Sequence, residues 1–208
     1  MINTIIFDFG DVFINLNKEA VSEEFKKLGL HAPTRELEEL NFSYEIGKVS
    51  ESDFLAGFQK YIPNASILDI RKAWNAVIGE FPLYRLEFLQ MLSQRYRLFL
   101  LTNTDATHIE RFEHMVGMTF SRDFYQCFEK VYFSYEMGMR KPDPKIFEYI
   151  LRKHDLSAKR TLFVDDKKEN TDAAEALGIQ VWNLNPGKED VVDLFDLKII
   201  EPYSLGHL

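Results

Sequence analysis

An α/β fold is predicted, a doubly wound parallel sheet with a small all-helical segment inserted after its first strand. Three observations carry it. Short apolar runs ("TIIF", "LFLL", "VYF", "LFV") alternate with helical patterns of about 10 to 15 residues, the signature of parallel strands joined by crossover helices. Four of these runs end in polar residues, at the carboxyl edge where open parallel sheets bind ligands. From about Lys18 to Gly79 every apolar stripe has helical spacing and no convincing strand occurs.

The elements follow in order. "NTIIFDFG" reads as a buried strand over residues 3–9. Val21, Phe25 and Leu28 fall at i, i+4 and i+7, a stripe that stops at Gly29. Similar stripes recur in "TRELEELNFSYEI", "SESDFLAGFQKYI" and "SILDIRKAWNAVI"; Ser50 is placed to cap the second, and Pro63 separates it from the third. After Pro82 come a helix in "LYRLEFLQMLSQRY", a strand in "RLFLLTNT", a helix over 106–117 and a strand in "KVYFS". A loop leads to "RKPDP", where Asp143 before Pro144 has the form of an N-cap and first helical residue. A helix carrying Ile146, Phe147, Ile150 and Leu151 follows, then the strand "RTLFVDD", a helix closed by Gly178, and the strand "IQVWNL". The predicted division is a core of residues 1–14 and 81–208 around a helical segment of 15–80.

Composition bounds the rest. The chain has 208 residues, 46% of them hydrophobic, enough for a sizeable core, with no run fit to span a membrane. A net charge of -8 disfavours nucleic acid as a partner. The single cysteine, Cys127, excludes an internal disulfide and a thiolate metal cluster, and together with the lack of a signal segment points to the cytoplasm. A monomer or weak homodimer is expected.

The polar strand ends are Asp8, the Thr102–Asn103 pair, the loop with Arg140 and Lys141, and the Asp165–Asp166 pair. Taken singly, each is explained by turns or caps; four at one sheet edge suggest phosphoryl transfer through an aspartate. A carboxylate approaching a phosphate meets repulsion of about 4 kcal/mol per charge pair at 4 Å with an effective dielectric near 20, so such a site needs fixed positive charge. Asp8 and Asp166 suit Mg²⁺, Lys141 supplies a second cation, and the Thr102 hydroxyl with nearby backbone N–H groups can bind phosphate oxygens.

In this order the pieces resemble the haloacid dehalogenase-like superfamily, its phosphatase branch most closely. "FDFGDV" resembles motif I, "LLTNT" motif II, "RKPDP" the lysine motif III and "FVDDKKENTDAAEALG" motif IV, anchors that run from Asp8 to Gly178. The resemblance implies a Rossmann-like core with a subclass I cap at 15–80 and a magnesium-dependent phosphatase acting on a small phosphorylated metabolite. It implies Asp8 as nucleophile and metal ligand, the Gly10 carbonyl and Asp166 as further ligands, and Thr102, Asn103 and Lys141 at the phosphate. Asp165 would be an outer or water-mediated partner of the metal, and Asn170 would support the metal's surroundings. Phe42, Tyr44, Glu45 and Trp74 are the cap residues expected to select the substrate, although aromatics at helical spacing also suit a core.

One departure stands out. Most family phosphatases carry Asp two residues after the nucleophile as proton donor and acceptor, and this chain has Gly10. A positioned acid is typically worth about 10² to 10⁴ in rate. Asp11 is better suited to a turn or cap, since the strand pleat aims it away. The D-x-G-x-V form resembles that of bacterial α-D-glucose-1-phosphate phosphatases, so a sugar phosphate is the leading substrate.

Other readings fit less well. A phosphomutase needs the missing acid. A phosphonate hydrolase needs a cap lysine for a Schiff base, for which Lys18, Lys48 and Lys60 are available. A dehalogenase has no use for the acidic pair, and a receiver domain carries its acidic pair first in the chain. The serious alternative is a degenerate member that binds metal and phosphate, or a protein partner, without turnover.

Overall fold

The computed structural model describes residues 1–197 and 200; the parts of the expected core at 198–199 and 201–208 lie outside the described residues. Five strands form one parallel sheet: β1 (Thr4–Phe7), β2 (Arg97–Thr102), β3 (Lys130–Phe133), β4 (Thr161–Asp165) and β5 (Gln180–Asn183), in the order β3-β2-β1-β4-β5. The chain builds outward from β1 in one direction and then in the other. The reversal falls between β1 and β4, the crevice in which such sheets bind ligands.

Period-two alternation decides what each face buries. Ile5, Phe7, Leu98, Leu100, Leu162 and Val164 face a core shared with Leu89 and Leu92 of α5 (Leu83–Ser93), Phe112 of α6 (Ala106–Val116) and Phe124 of α7 (Met118–Tyr125). Ile6, Phe99, Leu101 and Phe163 face the other way, against Ile146, Phe147 and Ile150 of α9 (Pro144–Lys153) and Ala174 of α10 (Lys168–Glu175). Helix α8 (Ser134–Met137) is one short turn after β3, ended by Gly138 in the left-handed conformation.

Among the described residues the remaining α-helices are α1 (Lys18–Lys27), α2 (Arg35–Glu45), α3 (Glu51–Gln59) and α4 (Ile67–Asn75). They bury a separate apolar cluster that includes Phe25, Leu37, Phe54, Phe58 and Ile70. Local chemistry sets their starts: Ser50 accepts from Asp53 N–H at 3.2 Å, and Ser66 with Asp69 forms a reciprocal capping box. The two connections to the sheet run side by side, Asn15 N–H donating to Glu80 O at 2.9 Å and Asn17 N–H to Val77 O at 2.8 Å.

Three expectations need correction. Strand β1 stops at Phe7 rather than residue 9, because the chain turns sharply through Asp11, whose φ is +55°. Helix α7 was not foreseen: Gly117, φ +81°, ends α6 and starts α7 at once, so a helix stop also serves as a helix start. The expected loop after β3 contains α8.

Gly47 marks the junction between α2 and the sheet unit. Its φ is +70°, and a Cβ there would lie 2.1 Å from Tyr135 O. Gly47→Ala therefore combines left-handed strain with a backbone collision, and urea denaturation should show a loss of about 2–4 kcal/mol.

Candidate active site

The parallel register assembles the site. Phe7 pairs with Val164, and Asp8 N–H donates to Val164 O at 2.9 Å, so Asp8 leaves β1 beside Asp165 at the end of β4. Thr102 ends the neighbouring strand β2. Lys141 arrives from the loop before α9, which starts where expected: Asp143 accepts from Lys145 N–H at 3.0 Å, with Pro144 in the first turn. Ser134 pins the loop after β2, accepting from Thr104 N–H at 2.9 Å and donating to Thr104 O at 3.0 Å.

Lys141 is the centre of the arrangement. Its side chain is 1% exposed, with Nζ 2.6 Å from Asp165 Oδ2 and 2.9 Å from Asp8 Oδ1. Burial disfavours the ammonium, but the Asp165 and Asp8 carboxylates outweigh it and raise the Lys141 pKa. Asp165 is fully engaged: besides Lys141 it accepts from Lys167 N–H at 2.8 Å and from the Asn170 amide at 3.0 and 3.1 Å. Asp8 is not so well served. Burial pushes its pKa up to about 6, with Asp165 adding to the rise and Lys141 only partly opposing it. Asp166, whose nearest cation is Lys18 at 3.7 Å, is also shifted upward by burial and by Asp165.

These groups fit a hard divalent cation. Oxygens of Asp8, Asp165 and Asp166 lie within 4.8 Å of one another, and one buried lysine cannot balance three carboxylates. With Asp165 committed to Lys141 and Asn170, Asp8 and Asp166 are the carboxylates left for the metal. The buried Asn170 Oδ1 has no protein partner, as an acceptor for water around a metal would have none. An all-oxygen donor set with few carboxylates is that preferred by magnesium.

The cavity over these groups has a volume of about 310 Å³ and is lined by Asp8, Gly10, Thr102, Asn103, Lys141, Asp166 and Asn170. From the helical unit come Lys18, Glu45, Trp74 and an apolar wall including Val21, Val77 and Ile78. Two expected substrate-selecting residues are elsewhere. Tyr44 is 4% exposed, stacks on Phe54 at 4.3 Å and is hydrogen-bonded to Thr107 at 2.5 Å, so it packs the junction. Phe42 is exposed and lies beneath the Arg140 guanidinium, 5.1 Å from ring to cation. Glu45 does line the cavity, held by Arg140 Nη1 at 2.9 Å, and burial raises its pKa.

Asn103 lines the cavity beside Thr102, and its side chain donates to Lys141 O at 2.8 Å and accepts from Lys141 N–H at 2.9 Å, which fixes the lysine. Asp11 accepts from Leu16 N–H at 2.9 Å and pairs with Lys18 at 2.6 Å, the turn-stabilising part expected of it. Lys18 is thereby kept charged: burial opposes, but Asp11 and Asp166 raise its pKa, which ill suits a Schiff-base amine. A pair not foreseen is Asp105, the N-cap of α6, and His108 one turn on, whose ring lines the cavity. An N-cap Asp three residues before a His is visible in "DATH" but means little without the fold.

The comparisons agree with this geometry. Residues 2–178 match the family model described as haloacid dehalogenase-like hydrolase. The chain is 26% identical to D-ribitol-5-phosphate phosphatase of Bacteroides thetaiotaomicron, over 91% of this chain and 95% of that protein. It is 28% identical to sesquiterpene phosphatase astK of Aspergillus oryzae, over 92% and 94%. A crystal structure of HAD family enzyme bt-2542 from Bacteroides thetaiotaomicron, in complex with magnesium and inorganic phosphate, superposes with a TM-score of 0.81 at 32% identity, covering 94% of this chain and 100% of that one. The chain belongs to the haloacid dehalogenase-like hydrolase family. Within it, the chain is an enzyme whose relatives are phosphatases, and its acidic cluster suits the magnesium seen in that crystal structure.

Proposed function

We propose that the chain hydrolyses a small phosphomonoester through a phosphorylated Asp8, with sugar and sugar-alcohol phosphates as the leading substrates. The observation that carries this reading is the buried Lys141, shared between Asp8 and Asp165 at the point where the sheet reverses. Asp8 Oδ attacks phosphorus while Lys141 and the Thr102 hydroxyl hold phosphate oxygens. Asn103 keeps Lys141 in place through its backbone, and Asp165 and Asn170 hold Lys141 and the metal's surroundings from behind. Asp8, the Gly10 carbonyl and Asp166 would hold Mg²⁺, whose charge offsets repulsion between the nucleophile and the phosphate. Water then attacks the phosphorus of the aspartyl-phosphate and restores Asp8.

In this reading residues 15–80 are a cap over a core of 1–14 and 81–208, and the separate apolar cluster of α1–α4 supports that division. Glu45 and Trp74 are the cap residues placed to touch the leaving group. The D-ribitol-5-phosphate phosphatase relative favours a polyol phosphate. We assign the enzyme to the cytoplasm, as a monomer or weak homodimer, on the lone Cys127 and the charge balance. Among the described residues no helix is long and apolar enough to cross a membrane.

The test is phosphate release with Mg²⁺ across about a hundred phosphorylated metabolites, a screening scale chosen to sample the classes a cavity of this kind admits, with a thermal melt beside it. Sugar and sugar-alcohol phosphates should lead. Magnesium at a hundredfold excess over its Kd should stabilise the protein by about 2.7 kcal/mol. Folded protein that neither releases phosphate nor responds to magnesium contradicts the assignment.

A further inference from the structure

Gly10 leaves the reaction without a proton donor at the expected place, and the neighbour over that place is apolar. A Cβ on Gly10 would lie 2.7 Å from Leu16 Cδ1, the tip of a half-buried apolar side chain, so what lies over that place is apolar and offers no proton. Asp11 is tied to Leu16 and Lys18 and does not line the cavity. A leaving alkoxide must therefore take its proton from another group lining the cavity. Lys141 is committed to Asp8 and Asp165, and Lys18 to Asp11 and Asp166. Of the other titratable groups lining the cavity, Asp166 is assigned to the metal and Lys167 belongs to a residue type that ordinarily gives up its proton far above neutral pH, which leaves Glu45 and His108 among the described residues.

The surroundings of His108 decide between them. Its Nδ1 is 3.0 Å from Asp105 Oδ2, and its Nε2 is 3.1 Å from the backbone oxygen of Trp74. Both partners are acceptors when Asp105 is ionised, a pairing that favours the imidazolium over either neutral tautomer. Asp105 is itself fixed: it is 1% exposed, accepts from His108 N–H at 2.9 Å and from the Trp74 indole at 3.1 Å. Trp74 stacks flat on the ring at 5.0 Å. The ring is thus oriented by a buried carboxylate on one nitrogen, as in acid–base dyads elsewhere, and offers an N–H on the other. Burial favours the neutral ring, but Asp105, the Trp74 carbonyl and the more distant Glu45 raise its pKa above the usual 6.5. Glu45, by contrast, faces a fixed cation: its Oε2 lies 2.9 Å from Arg140 Nη1, an ion pair that favours the carboxylate over the acid.

We propose that His108, positioned by Asp105, is the catalytic acid and base that stands in for the carboxyl group absent at Gly10. The proposal rests on the assignment of Asp8 as nucleophile. An ester oxygen replaces Trp74 O as the acceptor of Nε2–H. As the Asp8 oxygen bonds to phosphorus and the phosphorus–ester oxygen bond breaks, the Nε2 proton passes to the departing oxygen and an alcohol leaves. The ring, now neutral, keeps its Nδ1 proton on Asp105. Its bare Nε2 then takes a proton from the water that attacks phosphorus; the Asp8–phosphorus bond breaks, phosphate leaves and the imidazolium is restored.

Leaving-group dependence tests it. kcat/KM is measured with Mg²⁺ for p-nitrophenyl phosphate, whose leaving group needs no proton, and for an alkyl phosphate, whose leaving group does. His108→Gln should lose about 10² to 10⁴ on the alkyl ester and less than about tenfold on the nitrophenyl ester. Asp105→Asn should follow the same pattern more weakly, while Glu45→Gln, at a residue placed to touch the leaving group, should change both esters alike. In the wild type, kcat/KM for the alkyl ester should fall as pH rises through the imidazolium pKa, with the nitrophenyl ester unaffected; Asp105 and Glu45 are the charged groups facing the ring, and their variants should move that pH downward. Equal losses on both esters in His108→Gln, or the selective loss appearing in Glu45→Gln instead, would overturn the proposal, and the wild-type pH profiles decide it if His108→Gln does not fold. Failure of the wild type to hydrolyse either ester would bring down the Asp8 assignment and this one with it.

Discussion

Asp8→Asn is expected to abolish turnover, with kcat lowered at least about 10⁴-fold, the scale of removing a covalent nucleophile. An amide cannot attack phosphorus, and it weakens the hold on magnesium at the same time. Loss of folding is not the cause this variant would report. In the metal-free protein the Asp8 carboxylate is buried, and its pKa is pushed up to about 6 from an ordinary 3.8. A pKa raised on folding means that the protonated form favours the native state. The stability linked to it is complete below the ordinary pKa and is lost as pH rises through about 6. The asparagine variant carries no such charge, so at pH 8 and without metal it should melt no lower than the wild type. Activity lost at unchanged or raised stability separates a chemical part for Asp8 from a structural one.

Lys141→Met is expected to damage both. The ammonium is 1% exposed and sits between carboxylates at 2.6 and 2.9 Å. Removing one member of a buried charge cluster leaves the others unpaired, at a cost of about 3–5 kcal/mol. Asp165 keeps its bonds from Asn170 and the Lys167 N–H, so much of the penalty falls on Asp8. Urea denaturation of the metal-free variant should show the loss, and Asp8→Asn in the same chain should recover part of it, a coupling that the double-mutant cycle reads directly. Activity should fall by about 10² to 10³ or more, since a fixed cation at the developing charge is lost. A loss of stability below about 1 kcal/mol would mean that solvent reaches these carboxylates, contrary to the geometry.

The sheet was readable because buried parallel strands announce themselves: "TIIF" and "LFV" are apolar runs that end in acids, and their alternation sends Ile5 and Ile6 to opposite cores. Asp8, Thr102, Lys141 and Asp166 were readable for the same reason, since a parallel sheet gathers the carboxyl ends of its strands. What depends on distant closure was not. Tyr44 and Phe42 sit in one helix with an aromatic spacing that fits a cavity or a core equally; only the packing of α2 against Phe54 and Arg140 tells which. That the Asn103 side chain braces the Lys141 backbone was hidden because the two lie 38 positions apart. The surroundings of His108 depend on the Trp74 carbonyl, brought from α4 by the docking of the helical unit. Helix α7 was lost to a single glycine that ends one helix and begins the next.

The central claim is that the phosphoryl group passes through Asp8. Enzyme is mixed with a turned-over ester in less than molar excess, quenched in acid within one turnover, digested and weighed peptide by peptide. The account predicts one phosphoryl group on the peptide holding Asp8, which appears and decays at the rate of turnover and is absent from Asp8→Asn. Phosphate released at full rate with no phosphoryl group ever found on that peptide would mean direct attack by water, and would contradict it.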